Sequence, residues 1–153
     1  MKKVKILFFL VIGLLLLTFV KLGVYSQVDG FRPASTKEVL QFSIYIFTIL
    51  TLVFSHILIA RGLWLFTKQG FFNIKSIQSL KIGGILLAIY GLIATSFRLY
   101  TFYSYQSKLD FSQFQLLEAI SNGYTIILGF GLLTVADILR NGLVLKKEQD
   151  LTI

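Results

Sequence analysis

The sequence predicts an all-α, integral membrane four-helix bundle with both termini cytoplasmic. Three observations carry this reading. Hydrophobic residues make up 56% of the 153-residue chain and charged residues 14%, against about a quarter charged in an ordinary soluble domain. The mean hydropathy is +0.79, and the apolar residues are gathered into blocks rather than striped. Four of these blocks reach the roughly 20 residues that a helix needs to cross a ~30 Å hydrocarbon core.

The first span is expected at about 6–25, interrupted by Lys21 and preceded by Lys2, Lys3 and Lys5. That start has the charge and apolarity of a signal peptide. No A-x-A-like site follows, however, and the exit reads Lys21-Leu22-Gly23-Val24-Tyr25-Ser26, so a spanning helix is the better assignment. Asp29-Gly30 and Pro33 then mark a turn. Ser35 and Glu38 have capping-box spacing and would start the second helix.

The second span, about 40–60, carries no formal charge while His56 is neutral. Gly70 can end its helix and Asn73 can cap the next. Ile74, Ile77 and Leu80 recur at helical spacing between Lys75 and Lys81, which places Phe71 and Phe72 at a membrane interface. The third span, about 82–105, runs past Arg98 into Tyr100, Phe102, Tyr103 and Tyr105, an aromatic belt. Asp110 with Gln113, or Ser112 with Gln115, would start the fourth helix. Its span is about 119–139, broken by Asp137, and a short tail follows at 146–153.

Orientation follows from lysine and arginine. Ten of the 15 lie at the amino end, the middle loop with its helix ends, and the carboxyl end. Five lie on the other side: Lys21, Arg32, Lys37, Arg98 and Lys108. Both ends are therefore expected inside a cytoplasmic membrane. In lipid, small residues that permit close approach drive helix association. The contact faces expected are Thr48, Thr51 and Ser55 on the second helix, Gly84, Ala88, Gly91 and Thr95 on the third, and Ser121, Thr125, Gly129 and Ala136 on the fourth. Similar stretches at Arg61-Gly62-Leu63 and Arg140-Asn141-Gly142-Leu143 hint at two related hairpins.

Ionisable groups at membrane depth are costly and are functional candidates by default. Counting from the loop midpoints puts Lys21 level with Glu38, Arg98 with Glu118, and His56 with Asp137. Arg98 with Glu118 and His56 with Asp137 are therefore candidate intramembrane pairs. The second pair would suit a proton relay or pH sensor. The plainer alternative bonds Asp137 to Arg140 one turn on and His56 to a neighbouring hydroxyl, and it leaves Lys21 and Arg98 to snorkel.

Catalytic motifs are missing. There is no cysteine and one histidine, so thiolate sites, HExxH and two-histidine metal sites are excluded. No phosphate-cradling glycine loop and no GxSxG elbow occurs. Neither an enzyme nor a cofactor or metal protein is expected. The net charge of +8 sits at span ends rather than on a basic-aromatic domain, which argues against direct nucleic-acid binding.

The middle loop reads Gly70-Phe71-Phe72-Asn73-Ile74-Lys75-Ser76-Ile77. The chain ends Leu139-Arg140-Asn141-Gly142-Leu143-Val144-Leu145-Lys146-Lys147-Glu148-Gln149-Asp150-Leu151-Thr152-Ile153. These segments resemble G-x-[PF]-F-x-x-x-N-I and F-R-x-G-x-x-L-x-x-E-x-D-L-T-[IV], patterns of small bacterial membrane proteins catalogued as domain of unknown function 2975. The resemblance implies four spans and no known chemistry. It also implies a companion, a small cytoplasmic helix-turn-helix regulator. Glu148, Asp150, Leu151, Thr152 and Ile153 then form a candidate docking tail. The function expected is a non-enzymatic regulatory or interaction protein that contacts the lipid bilayer and a cytoplasmic protein, with self-association into a homo-oligomer left open. The alternatives are a small transporter or channel subunit and an immunity-type membrane protein.

Overall fold

In hydrocarbon no water is present to bond exposed amides, so an apolar chain satisfies its backbone within each segment as helix. The structure, a computed structural model, describes residues 2–28, 36–104 and 109–151, with side chains at 2–18, 36, 39–103 and 116–151. The described residues form four helices, α1 (Lys2–Val28), α2 (Thr36–Gln69), α3 (Ile74–Ser104) and α4 (Leu109–Leu151), and no strand. Ser35, the turn at 29–33, Tyr105, Thr152 and Ile153 lie outside the described residues, as do the side chains of Lys21, Glu38 and the Asp110–Gln115 caps.

Among the described residues, three stretches are long and apolar enough to cross a membrane: Val39–Gln69, Ile74–Tyr103 and Leu116–Leu151. They mark a membrane protein. The expected first span runs along α1, a helix of 27 residues. Every helix outruns its expected apolar block. α4 is the extreme case, 43 residues or about 65 Å, because the tail is not a separate strand of coil but continues the helix through Leu151. α4 also starts at Leu109, so both cap pairs expected for it fall inside its first turns.

The turn between α2 and α3 follows its sequence closely. Gly70 adopts φ +83°, a left-handed conformation that favours glycine, and its amide donates to the Phe66 carbonyl at 3.1 Å. Asn73 Oδ1 accepts from the Lys75 amide at 2.8 Å, which caps α3. The Asn73 amide group also donates to Gln69 Oε1.

The helices pack in chain order, α1 on α2, α2 on α3 and α3 on α4. α3 therefore contacts both α2 and α4, which make no close backbone contact with each other among the described residues. The α3–α4 seam is closest because glycine stands where backbones meet. A Cβ on Gly129 would lie 2.7 Å from the Ala88 nitrogen and 2.8 Å from the Gly84 oxygen. On the other seam, Ser55 Oγ donates to the Gly83 carbonyl at 2.9 Å with no exposure of its own. The apolar core joins Ile59, Leu63, Phe66, Ile77, Leu80 and Leu87 to Val11 and to Ala136, which is 0% exposed. It lies toward the end of the bundle that carries the 70–73 turn.

Candidate functional site

The other half of the bundle is polar inside. On α3, Arg98 follows Gly91 and Thr95 along the face that meets α4, and the close seam brings it opposite Glu118. Arg98 Nε lies 2.8 Å from Glu118 Oε2, with side chains 15% and 22% exposed. Opposite charges at one depth on adjacent helices lower the cost that either would carry alone in hydrocarbon. Two turns away, Tyr90 donates from its hydroxyl to Asn122 Oδ1 at 3.3 Å. Thr95 Oγ1 reaches the Ala119 carbonyl at 3.4 Å. A cavity of about 70 Å³ is lined here by Tyr45, Thr48, Tyr90, Arg98, Glu118 and Asn122. This volume is on the order of a few waters.

His56 and Asp137 are not brought together. His56 lies on α2 and Asp137 on α4, with α3 between them. His56 donates from Nδ1 to the Leu52 carbonyl at 2.8 Å. Asp137 Oδ1 lies 2.9 Å from Lys81 Nζ, with side chains 40% (Lys81) and 55% (Asp137) exposed. Depth counting treated two helices as neighbours that are separated by a third. The register of the α3–α4 seam carried the missing signal, since Ala88 lies on Gly129 and seven residues earlier on α3 Lys81 then comes level with Ala136, next to Asp137.

A second feature was not foreseen. α1 and α4 do not close on each other, and a cleft of about 570 Å³ lies between them, floored by α2 and α3. His56, Tyr90, Ser121, Asn122 and Thr125 are among its lining residues. The remaining lining is mainly leucine.

At the opposite end, the candidate docking residues Glu148, Asp150 and Leu151 are exposed on the continuation of α4, and Leu151 is 86% exposed. The 70–73 turn braces this extension. A Cβ on Gly142 would lie 2.8 Å from Phe72 Cε1, so the Phe72 ring sits on the Gly142 backbone. Lys146 Nζ stands 6.0 Å from the centroid of the same ring. Among the described residues, no three histidine, aspartate or glutamate side chains converge as a metal site would require.

Four helices, three of them long enough to cross a membrane, packed around a half-buried ion pair and extended by a helical tail, define a small all-helical membrane bundle. Residues 29–153 match the family described as Protein of unknown function (DUF2975), and the chain belongs to it. The match begins immediately after α1 and takes in α2, α3, α4 and the tail. No curated protein and no solved structure matches the chain.

Proposed function

We propose that this protein is a non-enzymatic regulatory docking protein of the bacterial cytoplasmic membrane. It crosses four times, with α1 as the first span, and keeps both termini in the cytoplasm. It holds a cytoplasmic partner through the 70–73 turn and the tail. The observation that carries this reading is the unbroken run of α4 from its apolar span to Leu151. Residues 140–151 project about 18 Å past the expected end of the span. A helix already formed and braced by Phe72 loses little conformational entropy when bound. Its exposed charges and the apolar Leu151 offer a partner both polar and apolar contacts. The resemblance to domain of unknown function 2975 proteins supports a small helix-turn-helix regulator as that partner.

The test is sedimentation of the purified regulator with vesicles carrying either the full chain or a chain ending at Gln149. The regulator should sediment with the full chain and stay in solution with the shortened one, while circular dichroism reports equal helix content per residue. Equal sedimentation with both chains would overturn the docking reading. It would leave the second reading, a small transporter or channel subunit. That alternative draws its support from the Arg98–Glu118 pair inside the bundle.

A further inference from the structure

The cleft between α1 and α4 differs in kind from an ordinary gap between membrane helices. Its volume of about 570 Å³ falls in the range of roughly 300–1,000 Å³ found for small-ligand sites. Its two walls are apolar, with Leu14 and Leu17 on α1 and Leu128 and Leu132 on α4. It lies alongside segments apolar enough to cross a membrane, so its occupant enters from the bilayer.

The polar groups in the cleft form a mixed set with no lysine, arginine, aspartate or glutamate among them. Asn122 Oδ1 accepts from Tyr90, and its Nδ2 donors have no partner among the described residues. Thr125 Oγ1 donates to the Asn122 carbonyl at 2.6 Å, which leaves its lone pairs as acceptors. His56 bonds the Leu52 carbonyl through Nδ1, which leaves Nε2 as the ring nitrogen open to a ligand. A head that both donates and accepts satisfies this set, and a hydroxyl does both. A charged head does not fit. The nearest formal charges, Arg98 and Glu118, already face each other at 2.8 Å, and an unpaired charge at this depth is costly.

We propose that the α1–α4 cleft binds one uncharged, hydroxyl-headed, single-chain lipid, with its head at Asn122, Tyr90 and Thr125 and its chain between the leucines of α1 and α4. This site is separate from the docking tail and does not depend on it. It also gives α1 a role, since α1 forms one wall while the family match begins after it.

The full chain, purified in detergent and stripped of lipid, is offered monooleoylglycerol, hexadecane or lysophosphatidylglycerol, and retained ligand is counted by native mass spectrometry. One monooleoylglycerol per chain is expected, retained at least about tenfold better than either competitor, the effect of roughly one net hydrogen bond or more. Leu14→Trp and Leu128→Trp, which fill the cleft with an apolar ring, should abolish retention. Val144→Trp, on the exposed tail helix, should not. Asn122→Leu should bring monooleoylglycerol down to the level of hexadecane. Equal retention of all three ligands, or retention unaffected by both cleft tryptophans in variants of normal helix content, would overturn the proposal. So would a two-chain complex that excludes monooleoylglycerol, because a second copy would then occupy the cleft.

Discussion

The Arg98–Glu118 pair illustrates what a single residue costs in this fold. With side chains 15% and 22% exposed, neither charge is well solvated, and each is tolerated because the other is present. Glu118→Gln keeps the shape but removes the counter-charge, and breaking a buried pair in this way costs about 3 kcal/mol or more. The double variant Arg98→Met with Glu118→Leu removes both charges and should recover most of that loss, since apolar replacement of a buried pair is often neutral. Unfolding of the three proteins in mixed micelles by a denaturing detergent checks the order. A single variant as stable as the parent, or a double variant less stable than the single, would show that the pairing contributes nothing. The pair was legible in the sequence because α3 and α4 are consecutive, antiparallel and in contact, so counting outward from their loop gives true depth. The same count failed for His56 and Asp137. Equal depth does not place α2 against α4 when α3 stands between them, and no local pattern announces which helices will be neighbours.

At the scale of the element, close approach between α3 and α4 depends on which glycine faces the seam. A Cβ on Gly129 meets the Ala88 nitrogen at 2.7 Å, whereas one on Gly131, two residues on, meets nothing within 4 Å. Gly129→Ala must therefore push the helices apart or bend them, at about 1–3 kcal/mol. Gly131→Ala adds no clash and removes the entropic penalty of a helical glycine, a gain of about 0.5–1 kcal/mol. Thermal unfolding in detergent should rank Gly131→Ala above the parent and Gly129→Ala below it, and the reverse order would refute the seam. Spacing in the sequence was enough to nominate Gly84, Ala88, Gly91 and Gly129 as a contact face. Gly70 and Asn73 were legible too, because a left-handed cap and a side-chain cap are chemical requirements written into one residue each. The length of α4 was not. Its last turns are polar and lack an apolar stripe, and what holds them is contact with a distant residue, Phe72 on Gly142.

The threading of the whole molecule rests on charge asymmetry and on the chain order of the helices. The four crossings proposed here would put the connection between α2 and α3 on the same side as both termini. In the proposed threading the excess of lysine and arginine, ten against five, makes that side the cytoplasmic one. In that threading α1 supplies the apolar wall of the cleft that faces Leu128 and Leu132 of α4. The chain holds no cysteine, so each one introduced is a unique label. Phe31→Cys and Gln106→Cys should react with a membrane-impermeant maleimide in intact cells. Phe71→Cys and Leu151→Cys should react only after the membrane is opened. If Phe31→Cys were instead protected along with Phe71→Cys and Leu151→Cys while Gln106→Cys reacted, α1 would lie on the cytoplasmic surface. Only α3 and α4 would then cross the membrane, α2 would turn back to the cytoplasmic side, and the cleft would face water rather than lipid. The positions of four single labels therefore decide at once the number of crossings, the side on which the tail meets its partner, and the solvent that fills the α1–α4 cleft.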